Sequence, residues 1–312
     1  MQSHGPQRAN FADRLDAALE RVRTPALVGI DPHLELLPTP FAVARDREAP
    51  RAERAAAVAA FCMELIDLVA GSVAAVKPQA AFFEVLGADG ALAWERVVAH
   101  AHAAGLLVIG DVKRSDIAST AAAYATAFLE GLPGTGVEHL CDAITLNPYL
   151  GPDSLEPFAD ACRRVGGGMF VLVRTSNPGS AAFQEHGDPR LCERVAETVS
   201  TLGDGLMGTC GYSAVGAVVG ATHPAELVRM RQRLPHAVLL LPGYGAQGAS
   251  ARDVRGAFPS RQRPWRGALV NSARGVAFAW REKQHAGRSW QDATRHALEA
   301  MIAELRLALA PG

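Results

Sequence analysis

Two of the three lysines in this chain are the residues best suited to proton chemistry. The sequence holds 31 basic residues, and all of them are arginines except Lys77, Lys113 and Lys283. An ammonium group can give up its proton, whereas a guanidinium group effectively cannot. In a chain that uses arginine almost everywhere, a lysine indicates a position that needs an ammonium. We interpret Lys77 and Lys113 in this way, and Lys283 as a surface residue.

Asp111 and Lys113 form the sharpest local motif. In a strand, residues i and i+2 point to the same face, so both side chains can enter one site. A carboxylate beside an ammonium favours its charged form, and the lysine then stays protonated near neutral pH. Such a lysine is suited to be an acid or an electrostatic stabiliser. It is poorly suited to be a Schiff-base nucleophile, which must lose its proton. A structural ion pair is the alternative.

A glycine-rich segment predicts a phosphate site. The spacing Gly243-x-Gly245-x-x-Gly248 matches the dinucleotide-binding fingerprint, but the segment lacks the βαβ context that this fingerprint requires. Backbone N–H groups of such a loop bind phosphate, and Arg274 supplies a charged partner that is able to bind it with two hydrogen bonds. We favour phosphate binding over a dinucleotide site or a plain glycine turn.

Two further segments leave alternatives open. Asp116 precedes a helical pattern, and its spacing alone favours a carboxylate that caps the helix or lies in its first turn over a functional one. The segment 175–190 contains Asn-Pro-Gly and shows no clear periodicity. Irregular segments of this length are usually functional or disordered, so a lid over a ligand is one of the two interpretations.

Eight short apolar runs supply the elements that must position these residues. They are nearly continuous in apolar character, as strands buried on both faces should be, and helical periodicity lies between most of them. This alternation predicts an α/β fold, a closed (β/α)₈ TIM barrel, with its catalytic side chains at the C-terminal ends of the strands. The predicted strands are 26–30, 73–77, 107–111, 143–146, 169–173, 215–219, 238–241 and 268–270.

The main alternative fold is a doubly wound open sheet. Its glycine cluster belongs after the first strand, where this chain has Ile30-Asp31-Pro32 instead. In the barrel, the candidate residues follow the strands and converge on one rim. They are Asp31, Lys77, Asp111, Lys113, Asp116, Thr175, Ser176, Gln247 and Arg274.

We expect residues 1–312 to form a single barrel domain. A leading helix places Phe11, Leu15 and Leu19 on one face, and a long amphipathic helix runs from about 290 to 309. An insert near 34–51 is rich in proline and arginine, and we expect it to be a surface excursion.

Composition narrows the class of protein. Hydrophobic residues make up 49% and charged residues 20%, which excludes a disordered chain. The net charge of −1 argues against a nucleic-acid partner. No apolar run is long enough for a membrane span, and the N-terminus has no signal-peptide pattern. Five cysteines without a C-x-x-C pair favour the cytoplasm, and the scattered histidines predict no metal site.

The segment Asp111-Val112-Lys113-Arg114-Ser115-Asp116-Ile117-Ala118-Ser119-Thr120 resembles the signature of orotidine 5′-phosphate decarboxylase. Val76-Lys77-Pro78-Gln79, the Pro-Gly-Tyr-Gly-Ala-Gln-Gly loop and Asn-Ser-Ala-Arg-Gly resemble the longer bacterial subgroup, called type 2. The resemblance spans about 28–276, in the expected order. It implies that orotidine 5′-monophosphate (OMP) loses CO₂ to give UMP, in pyrimidine biosynthesis, with no cofactor and in a homodimer whose active sites are shared.

The resemblance also implies a role for each candidate residue. Asp111 lies beside the departing carboxylate, and Lys113 stabilises the carbanion at C6 and then protonates it. Lys77 and Asp31 hold the ribose and complete an alternating Lys-Asp-Lys-Asp array. The remaining roles are contacts in the partner's site for Asp116, Ile117 and Thr120, with the pyrimidine for Thr175 or Ser176, and with the phosphate for Gln247 and Arg274.

Two departures from the family pattern and three rival functions remain open. The insert near 34–51 and the long last helix exceed the shorter members of the family, and we assign them no role. Shorter members of the family have an arginine in the strand-seven loop where this chain has Tyr244 and Gly245, which makes Gln247 the substitute phosphate contact. One rival is a Mg²⁺-dependent sugar-phosphate decarboxylase or synthase of the same superfamily, although this chain has Lys77 where that branch resembles a glutamate position. The others are a Schiff-base aldolase and a catalytically silent phosphate-binding barrel.

Overall fold

Eight parallel strands close into a barrel in the computed structural model, which describes residues 8–132, 140–245, 248–260 and 262–310. Each strand pairs with its neighbour in sequence, and β1 pairs with β8 to close the ring. The strands are β1 Ala26–Ile30, β2 Ala75–Pro78, β3 Leu107–Arg114, β4 Ala143–Leu146, β5 Gly168–Arg174, β6 Ser213–Val219, β7 Ala237–Leu241 and β8 Ala268–Ser272.

Helices alternate with the strands and cover the outside of the barrel. They are α1 Phe11–Val22, α2 Arg51–Val69, α3 Ala81–Glu84, α4 Gly87–Ala103, α5 Ala118–Ala125, α6 Glu156–Val165, α7 Ala181–Gln184, α8 Leu191–Asp204, α9 Pro224–Arg233, α10 Arg274–Ala277 and α11 Trp290–Leu309. The predicted (β/α)₈ barrel is therefore confirmed. Strands β1, β4, β6 and β7 are buried along their whole length, which explains why their sequences do not alternate.

Strand β3 departs most from its predicted bounds. It extends three residues past the predicted end at Asp111 to Arg114, and its pairing with β4 shifts register between Gly110 and Arg114. Such a bulge bends the strand and re-aims the side chains beside it. Asp111 and Lys113 lie within this irregular stretch.

The first and last helices of the chain, α1 and α11, each begin after a residue whose side chain caps the helix. The Asn10 side chain accepts a hydrogen bond from the backbone N–H of Ala12 and caps α1, while the Phe11 ring packs edge-on against Phe170 of β5. At α11, the Ser289 hydroxyl accepts from the backbone N–H of Asp292. Both side chains satisfy amide groups that have no partner within the helix.

The insert near 34–51 is exposed over much of its length, as expected of a surface excursion, but several of its residues join the core, and the prediction is wrong for these. Leu37 and Ala44 are 0% exposed, and Phe41 is buried as well. The Phe41 ring packs edge-on against Phe61 of α2 and Trp290 of α11, at centroid distances of 5.5 and 5.9 Å. These apolar residues lie in or beside two short 3₁₀ helices, Leu34–Leu36 and Thr39–Arg45. A strand or α-helix pattern does not detect them.

Among the described helices, none combines the length and the apolar character that crossing a membrane requires.

Candidate active site

Asp111 binds two ammonium groups where β2 and β3 end. Its Oδ2 atom lies 2.5 Å from Lys77 Nζ, and its Oδ1 atom lies 2.5 Å from Lys113 Nζ. Lys77 reaches the carboxylate from the neighbouring strand, and Lys113 reaches it from two residues along the same strand. The structure thus brings together the two lysines and the acid that the sequence singled out.

Two neutral side chains complete the coordination of Asp111. Gln79 donates from Nε2 to Oδ2 at 3.0 Å, and Thr145 of β4 donates from its hydroxyl to Oδ1 at 2.9 Å. Each carboxylate oxygen therefore accepts one bond from an ammonium and one from a neutral donor. This fixes the orientation of Asp111 and, through it, of both lysines.

Burial and charge act in opposite directions on this cluster. Burial alone would raise the pKa of Asp111, but the charges of Lys77 and Lys113 outweigh it and hold that pKa below its usual range. Burial alone would lower the pKa of Lys77, and the charges of Asp111 and Asp31 outweigh it and raise that pKa. Asp111 is therefore ionised and Lys77 is protonated at neutral pH.

Lys113 has a left-handed backbone, with φ of +45°. This conformation is uncommon for residues other than glycine and stores strain, which clusters at functional sites. The hydroxyl of Thr145 accepts a hydrogen bond from the Lys113 backbone N–H at 3.0 Å and holds the turn. The Lys113 side chain is 46% exposed, so its ammonium is bound to Asp111 and still reaches the cavity.

Asp31 follows β1 directly and lies beside the array. Its Oδ1 atom is buried and has no hydrogen-bond partner among the described residues, and its charge raises the pKa of Lys77. Asn271 of β8 likewise has a buried Oδ1 atom without a described partner. Buried acceptors of this kind are normally satisfied, so both are available to hydroxyl or amide donors of a ligand.

These residues face a cavity of about 990 Å³ at the C-terminal mouth of the barrel. A cavity of this size accommodates a nucleotide. Of the candidate residues, those that line it are Asp31, Lys77, Asp111, Lys113, Thr175, Ser176 and Arg274. Gln247, the other predicted phosphate contact, lies outside the described residues.

Asp116, Ile117 and Thr120 do not line this cavity. Asp116 also does not cap α5: the cap position is Ile117, and Asp116 Oδ1 accepts a hydrogen bond from the Ile117 backbone N–H at 2.8 Å. The capping interpretation is therefore wrong by one residue, because the extended Asp116-Ile117 segment delays the start of the helix. Ile117 is 63% exposed.

The backbone of the loop after β7 requires glycine at three positions. Gly243, Gly245 and Gly248 have φ values of +103°, +69° and +91°, in the region that side chains with a Cβ rarely adopt. After the neighbouring strand β8, Arg274 begins α10 and is exposed at the cavity. The structure thus brings the glycine loop and this arginine to one side of the site.

The segment 175–190 is anchored by Arg174 at the end of β5. The buried Arg174 guanidinium donates to Ser180 and to Glu185. Gln184 binds Thr175 twice, by accepting from its backbone N–H and donating to its hydroxyl, each at 2.8 Å. The Thr175 hydroxyl in turn donates to Asn177 Oδ1 at 2.6 Å. This segment has short helices and specific bonds, so the structure argues against a disordered loop, and the lid interpretation stays a prediction.

Sequence reasoning missed Gln79, Thr145 and Asn271 as site residues. Gln79 stands two positions after Lys77, so the strand alternation that placed Lys113 beside Asp111 applies to it too. Thr145 had no such signal, because it meets Asp111 and Lys113 only through the pairing of β3 with β4. A threonine in an apolar strand does not reveal which backbone it will contact.

The fold and the site together define a class: a parallel barrel enzyme whose charged residues alternate in sign at the C-terminal mouth. Residues 28–288 match the family model described as orotidine 5′-phosphate decarboxylase / HUMPS family. The chain belongs to this family.

Relatives with curated names support the same assignment. The orotidine 5′-phosphate decarboxylase of Rhodopirellula baltica is 46% identical over 304 residues, which cover 95% of this chain and 99% of the relative. That of Deinococcus radiodurans is 48% identical over 219 residues, covering 70% and 76%. The family and the carboxy-lyase activity predicted from the sequence are confirmed, while the roles of single residues stay predictions.

Solved structures agree with these relatives. A Streptomyces avermitilis crystal structure titled as an orotidine 5′-phosphate decarboxylase is 34% identical, has a TM-score of 0.79 and is matched over 100% of both chains. The OMP decarboxylase of Leishmania donovani is 32% identical with a TM-score of 0.71, over 96% of this chain and 98% of that one.

Proposed function

We propose that this chain removes CO₂ from OMP to give UMP, with Lys113 as the group that stabilises and protonates C6. One observation carries this proposal: Asp111 holds Lys77 and Lys113 at 2.5 Å each, beside a cavity large enough for the nucleotide. This arrangement provides a fixed positive charge before the substrate arrives.

The chemistry explains why a fixed charge is needed. The bond between C6 and the carboxylate breaks, CO₂ leaves, and the electron pair stays in an sp² orbital at C6. No carbonyl group is placed to delocalise that pair, so the protein must stabilise it electrostatically. The Lys113 ammonium lies within reach of the cavity and carries that charge. It then transfers one proton to C6, becomes a neutral amine, and regains a proton from water.

The other members of the array position Lys113 and the substrate, and they do not react themselves. Asp111 aims Lys113 at the cavity, because it accepts bonds from both lysines and fixes their positions. Lys77 and Asp31 bind the ribose hydroxyls, a role supported by the buried Asp31 oxygen that has no partner among the described residues. Thr175 or Ser176 binds the pyrimidine edge from the start of the lid segment.

The phosphate binds on the opposite side of the cavity. Arg274 and the β7 loop supply its contacts, with Gln247 as the further donor that the sequence predicts. Binding energy from this remote group can align the ring and close the lid, although the phosphate itself does not react.

The substrate site is shared between two subunits in this proposal. Asp116, Ile117 and Thr120 lie outside the chain's own cavity, and Ile117 is exposed. Tyr149, which follows β4 at the same end of the barrel, is 77% exposed. Exposed apolar residues around one rim are typical of an interface. The partner at this interface is a second copy of this chain. Asp116, Ile117 and Thr120 complete the substrate site of that second copy.

A mixing experiment tests the shared site. Lys113→Ala and Asp116→Ala proteins are each expected to be inactive as pure homodimers. After co-refolding, one of the two sites in a mixed dimer contains neither substitution, so up to a quarter of wild-type activity should return. Failure of activity to return in verified mixed dimers would show that each site is built from one chain.

We also propose that residues 1–312 form a single domain and that the enzyme works in the cytoplasm. The barrel strands begin at Ala26 and end at Ser272, and α11 packs against α2 and β1 rather than on a separate core. The five cysteines are free thiols, four of them buried, which suits a reducing compartment.

The primary test is an ultraviolet assay with OMP, run with and without EDTA. Loss of the orotate chromophore at an equal rate in both samples is expected. Loss that EDTA abolishes would instead support the Mg²⁺-dependent branch of the family. Tight UMP binding without turnover would support a silent phosphate-binding barrel.

A further inference from the structure

A tyrosine in the β7 loop is bonded to the last helix of the chain. The Tyr244 hydroxyl donates a hydrogen bond to Glu304 Oε2 of α11 at 2.6 Å. The two residues are 60 positions apart, and neither the barrel strands nor the charged array needs this contact. It joins the cavity wall to a helix that lies outside the barrel.

Tyr244 is held at the cavity from both sides. It lies between Gly243 and Gly245, both with positive φ, and its backbone forms a bridge with Ala249. Its ring is buried, yet the residue lines the cavity together with Gly243 and Arg274. The bond to Glu304 therefore acts on the glycine-flanked backbone that lines the same cavity as Arg274.

Helix α11 is a firm support for the bond. It spans 20 residues, is capped by the side chain of Ser289, and buries Leu298, Met301 and Leu305 in the core. Glu304 follows Met301 by three positions and is itself exposed. Its carboxylate strengthens the hydrogen bond, because an ionised acceptor binds a hydroxyl more strongly than a neutral one.

Burial and the Glu304 carboxylate both raise the pKa of Tyr244. The phenol therefore stays protonated and remains a donor through the neutral range. The bond is thus present under the conditions in which the enzyme would turn over.

We propose that Tyr244 is a positioning residue, and that its bond to Glu304 lets the C-terminal helix hold the β7 loop in the shape that receives the substrate phosphate. This inference rests on the proposed function, which places the phosphate at that loop. It assigns the long last helix a part in binding the nucleotide, although α11 contributes no residue to the cavity lining.

Binding measurements with UMP and uridine test the inference, since the two ligands differ only in the phosphate. The variants are Tyr244→Phe, which keeps the ring, and Glu304→Ala, which keeps a good helix former on an exposed face. Glu299→Ala is the matched control, because Glu299 is exposed on the same helix. Calorimetry gives the Kd values, and thermal unfolding confirms that every variant is folded.

Tyr244→Phe and Glu304→Ala should each raise the Kd for UMP about tenfold, as expected for a hydrogen bond to a charged group. The Kd for uridine should stay unchanged, and Glu299→Ala should match the wild type. The double variant should be no weaker than either single variant, because both remove the same bond.

Three results would overturn the inference. They are UMP binding at wild-type strength in both variants, equal losses for UMP and uridine, and additive losses in the double variant. The proposed function is tested separately, with the wild-type protein. If the wild type does not decarboxylate OMP, the proposed function is wrong whatever the binding results of the variants are.

Discussion

The two sides of the cavity are built in opposite ways. On the β2–β3 side, both oxygens of Asp111 are occupied by Lys77, Lys113, Gln79 and Thr145, and the cluster is largely buried. On the β7–β8 side, three glycines shape the loop, and Arg274 is exposed with no ion pair among the described residues.

This difference matches two separate tasks: catalysis on the β2–β3 side and phosphate binding on the β7–β8 side. A charge that stabilises a transition state is most effective when it is fixed beforehand, because nothing then has to reorganise as the reaction occurs. A charge that binds a remote phosphate gains its partner from the substrate itself, so it needs access more than fixation. The array is rigid because of its internal bonds, and the phosphate side is open because its partner is the ligand.

The largest effect is expected from the array. Lys113→Ala should lower kcat at least about 10³-fold, since it removes both the stabilising charge and the proton donor. UMP affinity should change only a few-fold, because the phosphate side is intact. Steady-state kinetics with OMP and calorimetry with UMP provide the two numbers. A kcat within tenfold of the wild type would remove Lys113 from the chemistry.

A smaller effect, on substrate binding, is expected when Arg274 is replaced. Replacing it by alanine should weaken OMP binding roughly 30-fold, equivalent to about 2 kcal/mol for a charge-assisted contact. The loss should appear in KM and, because phosphate binding also aligns the ring, in part in kcat. Uridine binding should be unaffected and serves as the control. A loss of uridine binding as large as the loss of OMP binding would contradict the separation between the two sides.

Thr145 tests whether the array depends on its neutral donors. Thr145→Val keeps the shape but removes the acceptor of the Lys113 backbone N–H, and it leaves Asp111 Oδ1 with only its bond to the Lys113 ammonium. We expect kcat to fall about tenfold, because an unpaired buried group costs about 1–3 kcal/mol. Thr145→Ser should restore it to within about threefold. Equal activity of the valine and serine variants would contradict a role for the hydroxyl.

The smallest effect is a pH dependence of stability. The folded pKa of Asp111 lies below its usual range, so its contribution is full above an unfolded pKa of about 3.9. That contribution is lost as the pH falls through the folded value, by about 1.4 kcal/mol per pH unit. The gap in unfolding free energy between wild type and Asp111→Asn should therefore be constant from pH 7 to 5 and shrink below about pH 4. Urea unfolding measures it, and a gap that shrinks already near pH 6 would contradict the assigned pKa direction.

The local sequence determined much of this protein. Buried parallel strands are continuous apolar runs, so all eight strands could be found, and a barrel places whatever follows them on one rim. The spacing of Asp111 and Lys113 also predicted their contact. These inferences succeed because each depends on neighbours in sequence or on a rule that holds for every strand of such a fold.

Only the tertiary structure decided the contacts between distant segments. Thr145 braces Asp111 and Lys113 from another strand, Phe41 joins the core through Phe61 and Trp290, and Tyr244 meets Glu304 across 60 positions. The left-handed turn at Lys113 likewise appears only where β3 shifts its register against β4. In each case the partner is set by how elements pack, and the residue type alone carries no signal of which partner it will meet.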